Sequence, residues 1–117
     1  MAIQRFLEND HMSKYVIANN TLYMAGQVAD DPALDFEGQL TQILAKIDMQ
    51  LRNNGLDRTY LLSATVYIDD YKKWGRLNVL WDAWVPAGHK PVRCCVEAKL
   101  AFPEYQVEIA VIASMTQ

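Results

Sequence analysis

The chain offers more apolar strand surface than its helices can cover, and that imbalance limits the folds open to it. Residues 91–99 carry Val92, Cys94, Val96 and Ala98 on one parity and Cys95 on the other. Residues 105–113 carry Val107, Ile109 and Val111 on one parity, with Ala110 and Ile112 on the other. Alternate strand residues face opposite sides of a sheet, so both sides of this sheet need cover. Residues 61–69 alternate well enough for another strand, with Leu62, Ala64, Val66 and Ile68 on one face and Leu61, Ser63, Thr65 and Tyr67 on the other.

Two stretches have helical spacing. In 35–53, Phe36, Leu40, Ile43, Leu44, Ile47 and Leu51 form one apolar stripe. Asp35 suits the N-cap and Gly55 the position just past the end. In 71–84, Trp74, Leu77, Trp81 and Trp84 recur at helical spacing, and Pro86-Ala87-Gly88 stops the run. The three tryptophans read most simply as core. Short strands at 3–7, 14–18 and 21–28 precede these helices, with Asn19-Asn20 as a turn and Gly26 inside the third strand. The order is β-β-β-α-β-α-β-β, an α/β (α+β) domain spanning residues 1–117. Two helices cover one face of a six-stranded sheet. The remaining apolar face is expected to be buried against copies of the same chain.

Charge and cysteine usage narrow the partners. Eleven basic residues stand against fourteen acidic, for a net charge of −3. A phosphate-binding surface gathers excess Lys and Arg, so nucleic acid is disfavoured. Cys94 and Cys95 are adjacent, a poor geometry for a disulfide, and no metal-ligand spacing is present. Free thiols favour a reducing compartment, and the expected location is the cytoplasm. Residues 1–10 lack the apolar stretch of a signal peptide, and no run reaches membrane-span length. His11 and His89, the two histidines, read as solvated loop residues.

Charge within apolar strands is the informative anomaly. Arg93 interrupts Pro91-Val92-Arg93-Cys94-Cys95-Val96-Glu97, and Glu108 interrupts Gln106-Val107-Glu108-Ile109-Ala110-Val111. If these strands form a hairpin with Cys95 opposite Glu108, the two charges are diagonal neighbours on one face. A register shifted by one residue puts them on opposite faces. As a structural pair they neutralise each other. As a site, the Arg93 fork suits a small carboxylate, and Glu108 suits proton transfer through water. Cys95 lacks a neighbouring histidine and reads as a small buried strand residue. Asn78 reads as a surface or capping residue.

These residues resemble the Rid family of reactive intermediate deaminases, also called the YjgF or L-PSP endoribonuclease family. The likeness rests on Ala25-Gly26-Gln27, Gly55-Leu56 before Leu62-Ser63-Ala64-Thr65-Val66-Tyr67-Ile68, and Asn78 with Trp81. It is carried furthest by the motifs around Arg93 and Glu108. Trp81-Asp82-Ala83-Trp84-Val85, Ala87-Gly88-His89 and Pro91-Val92-Arg93-Cys94 look like the YoaB-like branch.

The resemblance implies a chorismate-mutase-like fold, with a six-stranded mixed sheet and both helices on one face. It implies a homotrimer with sites between subunits. The implied reaction is hydrolysis of 2-aminoacrylate, 2-iminopropionate and related 2-imino acids to 2-keto acids and ammonia, with no cofactor and no metal. By that likeness Arg93 clamps the substrate carboxylate and Glu108 positions and activates water. Cys95 contributes its backbone amide and carbonyl, while Tyr15, Gly26 and Asn78 line the cleft. Ser13-Lys14 replaces the family's usual Gly-Pro before Tyr15, Cys94 replaces a small polar residue, and the segment Leu100-Ala101-Phe102-Pro103-Glu104-Tyr105 departs from the usual loop. Those departures bear on substrate preference. Two alternatives accompany the deaminase: a non-catalytic module binding a small carboxylate such as a 2-keto acid, and an endoribonuclease or translation inhibitor. The last lacks the histidine or lysine pair that RNA cleavage usually uses.

Overall fold

The computed structural model describes residues 2–117. The elements are β1 (Gln4–Phe6), β2 (Tyr15–Ala18), β3 (Thr21–Met24), α1 (Phe36–Asn53), β4 (Leu61–Ile68), α2 (Trp74–Trp84), β5 (Val92–Glu97) and β6 (Val107–Ser114). The element order is the one read from the sequence. The strands form one sheet in the order β1-β2-β3-β6-β4-β5.

Local chemistry accounts for the boundaries. Asn19 and Asn20 both adopt positive φ, 51° and 60°, and close a two-residue β2–β3 turn between Ala18 and Thr21. Asp35 accepts a hydrogen bond from the Gly38 backbone N–H at 2.8 Å and caps α1. At the other end the N–H groups of Gly55 and Leu56 donate to the carbonyls of Arg52 and Leu51 at 3.0 and 2.9 Å. With Gly55 at φ 73° this is a Schellman stop.

Phe36, Leu40, Ile43, Ile47 and Leu51 of α1 are fully buried. They pack on a sheet face made by Leu22, Met24, Ala64, Val66, Ile68, Val107, Ile109, Val111 and Ala113. The opposite face carries Val16, Tyr23, Thr65, Tyr67, Val92, Cys94, Val96 and Ile112, and no element among the described residues covers it. Tyr23, Val92 and Val96 are exposed.

Four expectations need correction. β5 and β6 do not form a hairpin. β4 lies between them, parallel to β5 and antiparallel to β6. The connecting loop crosses the end of β4, where Ala98 N–H donates to the Ile68 carbonyl and Asp69 N–H to the Gln106 carbonyl. A β-bulge between Leu61 and Ser63 resets the face at the start of β4, so Leu61 is buried and Leu62 exposed. The third strand stops at Met24, although Gln27 re-joins the sheet through a bridge to Ile109. Finally, Trp74 is not core. The chain enters α2 through a 3-10 turn at Tyr71–Lys73, which leaves Trp74 50% exposed while Trp81 and Trp84 are buried.

Gln39 explains how the loop over β4 is held. It lies inside the apolar stripe of α1 and is fully buried. Its amide donates to the carbonyls of Pro32, Leu34 and Glu104, and its oxygen accepts from Gln106 N–H at 2.9 Å. Gln39→Ala would strand these groups and leave a cavity, so a loss of about 2–4 kcal/mol is expected in denaturant unfolding.

Candidate active site

Arg93 projects from edge strand β5. Its cross-strand partner is Ala64, a buried residue of the helix-covered face, so Arg93 leaves the sheet on that side. Its guanidinium lies over the rings of Trp74 and Trp81, 5.2 and 5.6 Å from the two centroids. Both rings belong to α2, seven residues apart, and the half-buried Asn78 sits between them on the same helix face. The two rings hold the guanidinium plane by cation–π attraction. No carboxylate pairs with Arg93 among the described residues, which leaves its donors available to a ligand.

Cys95 follows on the same side, half-buried against the core. Burial pushes its thiol pKa up and outweighs the opposing pull of the Arg93 charge. The protonated thiol is a poor nucleophile.

Glu108 is on the other side of the sheet. It faces Tyr67 across the β4–β6 ladder, out of phase with the buried Val107 and Ile109. Partial burial raises its carboxyl pKa above the usual value, and its side chain makes no hydrogen bond among the described residues. Gly26 lies directly beneath it. A Cβ on Gly26 would fall on Glu108 Oε2, with Cδ at 3.0 Å and Cγ at 3.2 Å. Only a glycine leaves the carboxylate its place. Gly26→Ala is therefore expected to displace Glu108 and lower activity nearly as far as removing the carboxylate, with little change in melting temperature. Kinetics paired with thermal unfolding check it.

Gly26, Tyr67, Glu108, Ala110 and residues 98–101 line a depression of about 430 Å³. Its floor is strand and its wall is the loop that Gln39 anchors.

Of the residues singled out in the sequence, the chain brings Gly26 to Glu108, and Cys95 and Asn78 to the side of Arg93. It does not bring the two groups together, because Arg93 and Glu108 lie on opposite faces of the sheet. The diagonal pairing considered above is thus excluded within one chain. Tyr15 joins neither group. It lies on the helix-covered side of β2, paired with Met24, its ring stacked on Phe6 at 4.6 Å.

Three residues that shape these sites were not read as site residues in the sequence. Trp74 and Tyr67 stand against Arg93 and Glu108, and Gln39 anchors the loop wall. The Trp74-Asn78-Trp81 spacing and a glutamine inside an apolar stripe were the available signals. His11 and His89 are both exposed. Among the described residues no three metal-ligating side chains converge, and no helix is long and apolar enough to cross a membrane.

A six-stranded mixed sheet with two helices, in the order β-β-β-α-β-α-β-β, is the YjgF-like class of fold. The family profile described as Endoribonuclease L-PSP matches residues 3–115, and the chain belongs to this family, the Rid/YjgF family. It is 42% identical over 115 residues to the RutC family protein YoaB of Escherichia coli, covering 98% of this chain and all of the relative. It is 40% identical to a RutC family protein of Haemophilus influenzae, covering 97% of this chain and 99% of that one. Among solved structures, a member of the YjgF protein family from Neisseria meningitidis superposes with a TM-score of 0.92. The two are 38% identical, with 97% of this chain and 95% of the other covered.

Proposed function

We propose that the chain hydrolyses reactive 2-imino acids and their enamine tautomers to 2-keto acids and ammonia, as a homotrimer with its sites between copies. One observation carries the reading. The chain holds an oriented, unpaired guanidinium on one side of its sheet and a half-buried, unpartnered carboxylate on the other. Neither has an ion-pair partner among the described residues. Setting the β5 edge and α2 of one copy against the bare sheet face of the next brings the two together and covers the apolar face. The family typically forms homotrimers.

The chemistry follows from the two groups. Arg93 holds the substrate carboxylate by two parallel hydrogen bonds, with Asn78 beside it. The iminium carbon is already electrophilic, so orientation and proton handling suffice. Glu108, ionised, takes a proton from water as the water oxygen bonds to that carbon. It then passes the proton to nitrogen. The carbinolamine collapses: the C–N bond breaks and nitrogen leaves as ammonia, while Glu108 takes the hydroxyl proton as that oxygen becomes the keto oxygen and passes it to the ammonia, which departs as ammonium. One water is consumed per ammonium released.

The test is release of ammonia and 2-keto acid from freshly generated 2-iminopropionate and bulkier 2-imino acids. Acceleration over the uncatalysed rate is expected. A well-folded protein that accelerates none of them would contradict the reading and favour a non-catalytic carboxylate-binding module.

A further inference from the structure

The Glu108 depression does not end at Ala101. Lys99, Leu100 and Ala101 form a wall shared with a second, more enclosed depression of about 500 Å³, completed by Asp69, Phe102, Pro103 and Tyr105. Its lining is mostly apolar. Phe102 is 60% exposed, the largest apolar side chain of the loop, and nothing among the described residues covers it. Its ring stands 5.9 Å from that of Tyr105 at an angle of 59°.

The loop is fixed in place. Tyr105 N–H donates to the Phe102 carbonyl at 3.2 Å, and the buried Gln39 holds Glu104 and Gln106 on either side of Tyr105. Asp69 is already paired with Lys73 at 2.8 Å, so its charge is offset. Lys99 has no ion-pair partner among the described residues, and its alkyl stem is available to line the wall while its ammonium reaches water.

A 2-imino acid has three substituents on its reacting carbon. In the reading proposed above, on which this inference rests, the carboxylate belongs to Arg93 and the nitrogen faces Glu108 and its water. The side chain remains, and it needs an apolar space beside Glu108. We infer that the depression under Phe102 and Tyr105 receives it. The protein is then selective for 2-imino acids with aromatic or branched apolar side chains over 2-iminopropionate. The loop at residues 99–105 is the part that sets this preference.

The experiment has two arms. In the first, 2-imino acids generated in situ from alanine and phenylalanine are compared by kcat/KM. The phenylalanine-derived imine is expected to be favoured about tenfold or more, the scale on which an apolar pocket discriminates. Phe102→Ala is expected to pull that ratio back toward one. In the second, binding of phenylpyruvate, pyruvate and 2-oxoglutarate is measured by calorimetry, with phenylpyruvate expected to bind tightest and to lose its advantage in Phe102→Ala. Equal kcat/KM for the two imines, or a ratio indifferent to Phe102→Ala, overturns the inference and leaves the deaminase reading standing. Tightest binding by 2-oxoglutarate overturns it in favour of Lys99 recognising an acidic side chain. If no imine is turned over, the deaminase reading fails, and the binding arm alone decides whether the pocket is apolar-selective.

Discussion

Glu108→Gln is expected to lower kcat by about 10²–10⁴-fold, the range over which a positioned acid–base group contributes, while binding of a 2-keto acid product changes far less. The glutamine keeps the shape over Gly26 but cannot take the proton from water. The pH dependence follows from burial. Within one chain, burial raises the Glu108 pKa above the usual 4.5, and the proposed mechanism uses the ionised form, so kcat/KM is expected to fall on acidification as the carboxylate takes up its proton. The stability effect has the opposite sense. A carboxyl with a raised folded pKa holds its proton more tightly folded than unfolded. Ionising it therefore costs folding stability, a cost absent below the unfolded pKa and complete above the folded one. At neutral pH Glu108→Gln removes that cost, and the melting temperature is expected to hold or rise. A glutamate kept for structure would give the reverse: turnover intact and melting temperature down.

Arg93→Ala is expected to weaken binding of 2-keto acids by about 100-fold or more, since each hydrogen bond to a charged group contributes about 1.5–3 kcal/mol and the fork supplies two. Titration calorimetry reads this directly. The fold should survive, because the loss in the free chain is limited to the contact with Trp74 and Trp81, about 0.5–2 kcal/mol. Arg93→Lys should recover only part of the affinity, since an ammonium keeps the charge and loses the planar fork. Unfolding on removal of Arg93 would instead make it a structural residue.

Most of the fold was legible because its signals are local. The α1 stripe, the Asp35 cap, the Gly55 stop and the Asn19-Asn20 turn each depend on residues within a few positions of one another. Register and strand order are not local. β4 carries apolar residues along its length and accepts partners on both edges, and nothing near residues 98–106 says that this loop passes over β4 instead of turning back on itself. That single connection decides that Arg93 and Glu108 face opposite ways. The bulge at Leu61–Ser63 likewise flips a face without a glycine to announce it. The site was legible in parts. Arg93 and Glu108 stood out as charges in apolar strands, and Gly26 as a glycine in a strand. The reason for Gly26, a carboxylate lying where a Cβ would be, appears only in three dimensions. Trp74 looked like core because helical spacing cannot distinguish a ring that packs inward from one that supports an arginine at the sheet edge.

Subunit mixing tests the central claim, that the site is assembled from Arg93 of one copy and Glu108 of the next. Arg93→Ala and Glu108→Gln chains, each inactive alone, are unfolded together and refolded as mixed assemblies. If the sites lie between copies, every mixed trimer contains one site with both native residues, and roughly a quarter of wild-type activity returns. Mixtures as inactive as the separate variants, with mixed assembly confirmed by mass, would contradict the account.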